Sequence, residues 1–238
     1  SWDITKLKGP IPYLYYSLYV ILDLFSRYVV GWMVATHENA HLAQRLIEAT
    51  CEKQGIGPHQ LTMHADRGAP MRSKLLVELY ADLHIAVSHS RPRVSNDNPF
   101  SEAQFRTIKY RPEFPDRFGS PEHARGVSHS LFTWYNDAHH HSGLSYLTPA
   151  DVHYGRTSAI LEGRHQTRLA AYAAHPERFV QGPPRLETLP TAVWINPPRP
   201  LAPSDVSAPT IITPGASSST VTPPPSAIAG GRSISLVS

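Results

Sequence analysis

Two runs of aromatic and β-branched residues, nearly back to back, constrain this chain more than any other feature. Tyr15–Asp23 (YYSLYVILD) and Tyr28–Thr36 (YVVGWMVAT) are separated only by Leu24-Phe25-Ser26-Arg27. Such residues suit strands, and four linking residues are short enough for a hairpin. A hairpin this apolar must be covered by further strands and helices. Trp2–Leu7 reads as a strand that precedes it. Asn39–Gln54 has a helical spacing through Leu42, Ala43, Leu46, Ile47 and Cys51, and Gly55, Gly57 and Pro58 end it.

The pattern then alternates. Gln60–His64 is a short strand followed by Ala65-Asp66-Arg67-Gly68, and Ser73–Leu83 reads as a helix with Leu75, Leu76, Leu79 and Tyr80 on one side. Ile85–Ser88 is a further short strand, Ser90–Asn98 a polar loop, and Pro99–Tyr110 a helix with Phe100, Phe105 and Ile108 apolar. Ser120 has the character of an N-cap, with Pro121 at the first helical position and Glu122 favouring the positive end of the helix dipole. That helix is expected to run to about Tyr135, and another over Thr157–Ala174. Three sequential strands followed by strand–helix alternation predict one mixed sheet, partly antiparallel and partly parallel, flanked by helices. This is the α/β order of the ribonuclease-H-like fold, with five strands.

Proline marks the main boundary. Of 23 prolines, 12 fall at or after Pro183, in a segment that also contains Ser217-Ser218-Ser219 and Pro223-Pro224-Pro225. Such a stretch has little to bury. The expected organisation is a core over 1–156, a helical extension over 157–182 and a Pro/Ser-rich tail, extended or disordered, over 183–238. The single cysteine, Cys51, excludes an internal disulfide and a zinc–thiolate cluster and points to a reducing compartment. No run of 18 apolar residues is present, so no membrane partner is expected. There is no Gly-rich phosphate loop and no nucleophile elbow, so nucleotide hydrolysis and acyl transfer lack support. A net charge of +3 and a pI of about 9.0 fit a nucleic-acid partner without establishing one.

Three acids stand where metal-assisted phosphoryl transfer would need oxygen ligands. Asp3 is in the first strand, Asp66 just past the fourth, and Glu102 in the first turn of the helix after the polar loop. Strand ends and a helix start can converge at one edge of a sheet. Each acid alone has an ordinary explanation: a terminal acid, a turn aspartate, a glutamate favoured by the helix dipole. Asp97 competes with Glu102 for the same role. Asp23 reads as structural. The run His139-His140-His141 reads as a polar helix end, because consecutive histidines point in different directions. His64 precedes Asp66 by two and is within hydrogen-bonding reach of its surroundings. Arg91, Arg93, Arg106, Lys109, Arg111, Arg117 and Arg125 make the region after Asp66 the candidate DNA-facing side, set against an ordinary solvated surface.

An ordered series of blocks lifts these acids out of the ordinary. It comprises Trp2-Asp3-Ile4-Thr5, Val20–Arg27, Gly31-Trp32, His64–Gly68, Asp97-Asn98 before Glu102, and Thr107-Ile108-Lys109. It ends with Trp134-Tyr135-Asn136 followed by His141, Leu144 and Thr148-Pro149. Over residues 2 to 156 the chain resembles the integrase-type core of bacterial insertion-sequence transposases, the DDE-type family related to retroviral integrases. The interval from Asp66 to Glu102 is 102 − 66 = 36, leaving the 35 intervening residues of that family.

The resemblance implies metal-dependent DNA strand cleavage and strand transfer at element ends. Asp3, Asp66 and Glu102 would be the catalytic triad and would bind two Mg²⁺ ions, with Mn²⁺ as a substitute. Lys109 would face the DNA end, sharing a helix face with Glu102, Arg106 and Asn98 complete the expected DNA contacts, and Asn98 would also orient the loop near Glu102. It also implies a homo-oligomer acting on paired element ends and a target DNA, in the bacterial cytoplasm at the nucleoid. The sequence departs from the pattern at Ala65, where many members have serine, and in Gly68-Ala69-Pro70-Met71. The family's upstream helix-turn-helix region is not in this sequence, which begins at Ser1, so the chain is read as a piece of a longer protein. The competing reading is a catalytically inactive remnant of the same ancestry that binds DNA or a partner. A ribonuclease or junction-resolving nuclease of the same fold is a third, and the Tyr135-Asn136 to Pro149 block argues against it.

Overall fold

A computed structural model describes residues 1–66, 68, 71, 73–91 and 97–195. The first hairpin is formed by β1 (Trp2–Lys8) and β2 (Tyr15–Leu22), and β3 (Val29–Ala35) follows β2 through the anticipated turn. β4 (Thr62–Ala65) and β5 (Ala86–His89) complete one five-stranded sheet of order β3-β2-β1-β4-β5. β2 pairs antiparallel with both neighbours, whereas β4 runs parallel to β1 and to β5. This is the mixed, ribonuclease-H-like sheet that the element order predicts.

The side-chain alternation of β2 explains why its sequence is apolar without interruption. Tyr16, Leu18, Val20 and Leu22 face one layer, and Tyr19 and Ile21 the other, with all six buried. On the Tyr19 side lie α1 (Ala40–Gln54) and α2 (Lys74–Asp82), through Ala43, Ile47, Leu76 and Leu79. On the Leu18 side lie α3 (Pro99–Lys109) and α4 (Pro121–Asp137), through Phe105, Ile108, Ala124 and Phe132.

The helix ends are set by the residues that mark them in the sequence. Asn39, Ser73 and Ser120 accept hydrogen bonds from the first-turn amides of His41, Leu76 and His123. Gly55 closes α1 in the left-handed region, at φ 63°. Gly31 is the point of closest approach between β3 and α1. A Cβ there would lie 2.2 Å from Thr50 Oγ1.

Past α4 a second, smaller core forms around Leu144, Leu147, Val152 and Leu161. It joins α5 (Pro149–His153) and α6 (Thr157–Ala174). The short α5 was not expected as a helix. Thr148 and Asp151 form a reciprocal capping box at its start, and Pro149 occupies the first position, which is enough to set one turn. Asn136 ties α4 to the sheet: its amide accepts from Val29 N at 2.9 Å and donates to Val29 O at 3.1 Å.

Residues 183–195 pack in part against the folded body. They have no helix or strand, yet Ile195 is 6% exposed within the main core and Leu189 packs on the smaller one. Glu187 pairs with Arg168 of α6 at 2.6 Å. Residues 196–238, with the Ser217–Ser219 and Pro223–Pro225 runs, lie outside the described residues. No described helix is long and apolar enough to cross a membrane.

Candidate active site

Asp3, Asp66 and Glu102 come from three different elements and meet at one edge of the sheet. Trp2 of β1 pairs with Ala65 of β4, so Asp3 and Asp66 follow side by side on parallel strands. Asp3 shares a sheet face with Thr5 and Leu7, the face covered by α3. Glu102 projects from the first turn of that helix and is exposed. Asp66 and Glu102 both act on Asp3. Burial, together with the Asp66 and Glu102 carboxylates, pushes the Asp3 carboxyl up to about 6, against hydrogen bonds that favour its ionised form. Those hydrogen bonds come from Ile4 N to Oδ1 at 2.7 Å and from Asn98 Nδ2 to Oδ2 at 2.9 Å.

None of the three carboxylates is in an ion pair among the described residues. As they stand, no three His, Cys, Asp or Glu side chains among the described residues are gathered tightly enough to chelate one ion. The donor chemistry nonetheless fits a hard divalent cation. Burial first, and the two neighbouring carboxylates after it, raise the Asp3 carboxyl, and a cation held between the three oxygen-bearing side chains would relieve that repulsion. Next to Asp66, Gly68 donates its N–H to Oδ1 at 2.8 Å. A Cβ at Gly68 would come within 3.0 Å of the same oxygen, so the turn keeps this carboxylate uncrowded. Arg67, Ala69 and Pro70 lie outside the described residues.

The remaining expected site residues divide. Arg106 is exposed and shares the Glu102 face of α3, one turn on. Lys109 follows on that face, half-buried, and donates to Thr5 Oγ1 on β1. Burial lowers its ammonium while the Asp3 carboxylate raises it. Asn98 is 6% exposed and turned inward onto Asp3. Of the other basic residues, Arg91 is bonded to the buried Asp97, Arg111 stacks on Trp134 at 3.6 Å, and Arg117 donates to Gly9 O. Arg125 pairs with Glu122 on α4. Arg93 lies outside the described residues.

Asp97 is held away from the cluster. Its carboxylate accepts from Arg91 N, Nε and Nη2 at 2.7, 2.9 and 2.8 Å. Asp23 is structural. It accepts from Phe25 N, Ser26 N and Ser26 Oγ and lies 3.5 Å from His153 Nδ1, and these contacts hold its carboxyl below the usual range against its burial. His139 packs on Trp134 and Tyr135, and His141 accepts from Gly143 N, burial driving its imidazole down to about 4. The three histidines form no metal group.

Two features escaped the sequence reading. Ser1 and Ser101 join Asn98 in a buried hydrogen-bonded network. Arg27, in the left-handed region at φ 61°, lays its guanidinium 3.8 Å from the Phe100 ring centroid at the start of α3. A hydrogen bond or stack between residues some 70 to 100 positions apart leaves no periodic trace in the sequence.

A cavity of about 1040 Å³ lies elsewhere, between the β2–β3 turn, α5, α6 and Leu186–Val193, and none of the three carboxylates lines it.

Comparison with known proteins bears on the same region. Two family models, both described as Integrase core domain, match residues 1–95 and 83–149. The chain is 28% identical over 150 residues to the transposase for insertion sequence element IS904 of Lactococcus lactis subsp. lactis (strain IL1403), covering 63% of this chain and 58% of that protein. It is 28% identical over 148 residues to transposase InsF for insertion sequence IS3A of Escherichia coli (strain K12), covering 62% and 50%. The chain thus spans about half the length of the curated relatives it matches. Among solved structures, it is similar to the HTLV-2 integrase catalytic core domain in complex with magnesium, at 18% identity and a TM-score of 0.47, covering 64% of this chain and 94% of that one.

Proposed function

Integrase core domain models match residues 1–95 and 83–149, and from that likeness we propose that the chain is the catalytic core of a DNA transposase of the insertion-sequence type. Asp3, Asp66 and Glu102 would hold Mg²⁺, or Mn²⁺ in its place. The substrate would be DNA, cut at the ends of an element and joined to a target, with copies of the chain acting together on it. The observation that carries this reading is the meeting of Asp3 on β1, Asp66 just past β4 and Glu102 in the first turn of α3, near enough that the last two raise the Asp3 carboxyl.

The chain's own residues divide the work. The carboxylates act as ligands, so no covalent enzyme intermediate is needed. Divalent cations, when bound, supply activation of water or of a 3′-hydroxyl and neutralise charge at the phosphorus. Arg106 and Lys109, on the Glu102 face of α3, would hold the backbone phosphates of the DNA end, a salt-dependent contact without sequence preference. Thr5 fixes the Lys109 ammonium next to Asp3. Asp97 and Asp23, being fully engaged with protein partners, are left out of the ligand set.

The test is thermal unfolding of the chain with and without millimolar Mn²⁺, beside Asp66→Asn. A ligand that binds only the folded state adds about 2.7 kcal/mol at 100 times its dissociation constant. A rise in Tm that is lost in the variant is the expected result. No response in either protein would overturn the catalytic reading in favour of a DNA- or partner-binding core without catalysis. Strand transfer that survives Asp66→Asn would overturn the ligand assignment.

A further inference from the structure

Asn98 occupies the N-cap position of α3, yet its side chain makes no capping bond. It is spent elsewhere. Nδ2 donates to Asp3 Oδ2 at 2.9 Å, and Oδ1 accepts from Ser1 Oγ at 3.2 Å, which in turn lies 3.1 Å from Ser101 Oγ. A carboxylate can only accept, so this orientation of the amide follows from its partners.

The backbone that carries Asn98 is also held. His64, on β4 two residues before Asp66, bonds the Asp97 carbonyl through Nε2 at 2.9 Å and Ser88 Oγ through Nδ1 at 3.1 Å. The Asp97 carboxylate is locked to Arg91. One dipeptide, Asp97-Asn98, therefore links β1, β4 and α3, the three elements that bear the candidate ligands.

We propose that Asn98 is a positioning residue of the carboxylate site, fixing the rotation of the Asp3 carboxylate relative to Asp66 and Glu102 so that one cation can be shared among them. The proposal rests on the reading of those three acids as cation ligands. A carboxamide suits the task chemically. It orients an anion by donating a hydrogen bond while bringing no positive charge, so it does not compete with the cation as a lysine or arginine would. Partners behind the ligands commonly govern metal affinity in this way.

The test is a Mn²⁺ titration of the full chain, following free Mn²⁺ by electron paramagnetic resonance, on the wild type and on Asp66→Asn, Asn98→Ala and Ser101→Ala. Asn98→Ala is expected to weaken binding about tenfold or more. Ser101→Ala disturbs the same buried network without touching Asp3 and is expected to leave the affinity unchanged. Should Asn98→Ala fail to fold, Asn98→Ser, too short to reach Asp3, is judged by the same criterion.

Wild-type affinity in the Asn98 variant, with binding lost in Asp66→Asn, would overturn this proposal alone. Equal weakening in Ser101→Ala would reduce Asn98 to a general packing role and overturn it as well. A wild type that binds no Mn²⁺ would sink the ligand reading and the proposal together.

Discussion

Asp3→Asn should make the metal-free protein more stable at neutral pH while removing its response to cations. The Asp3 carboxyl is pushed from its usual 3.8 up to about 6 by burial and by its two acidic neighbours. That difference corresponds to about 3 kcal/mol, reduced to about 2 kcal/mol because the group keeps some contact with water. Below pH 4 the group is protonated in both folded and unfolded chains and costs nothing. Between pH 4 and 6 the unfolded chain releases the proton first, so the folded state binds more protons and stability falls as pH rises. Above pH 6 the penalty is constant. Urea unfolding in a chelating buffer from pH 4 to 7.5 should show the advantage of Asp3→Asn over wild type growing by about 2 kcal/mol across that window. Any effect of the new amide on Asn98 adds only a constant offset, and the change with pH is the readout. In millimolar Mn²⁺ the gap at pH 7.5 should narrow or reverse. Parallel pH profiles for the two proteins would refute the claim that Asp3 is held in an unfavourable field.

Two further substitutions test the frame. Gly31→Ala drives a methyl into Thr50 Oγ1 and should cost about 1–3 kcal/mol by urea unfolding. Thr50→Ala in the same chain should recover part of that loss, and strictly additive costs would contradict the close approach. Ile195→Ala should cost about 2–3 kcal/mol, as expected for a core isoleucine, whereas a residue in a loose tail would cost nothing measurable.

Much of the fold was legible because it is written in local patterns. The uninterrupted apolar run of β2 signalled a strand covered on both faces, and Asn39, Ser73, Gly55 and Ser120 marked helix ends that the structure places within a residue of expectation. The strands β4 and β5 were found within two residues, because short apolar runs show their existence more clearly than their limits. α5 was missed because a single turn has no period, although its capping box was present in Thr148 and Asp151. At the site, the positions of Asp3, Asp66 and Glu102 followed from strand ends and a helix start. What could not be read was which neighbours hold them. The bond from Asn98 to Asp3 leaves no mark in the sequence, because a side chain's direction at a helix entrance depends on a partner 95 residues away. For residues 183–195, proline content reports the lack of regular structure, and says nothing of whether Ile195 finds a place in the core.

The bond pair between Asn136 and Val29 has a consequence for the outer edge of the sheet. β3 is an outer strand, and an outer strand offers backbone donors and acceptors to any other chain that can line up beside it. At Val29 both groups are already taken by one side chain from α4. A newcomer would find the first rung of the ladder occupied by a permanent stand-in for a neighbouring strand. Strand addition along this edge is thereby blocked at its first position.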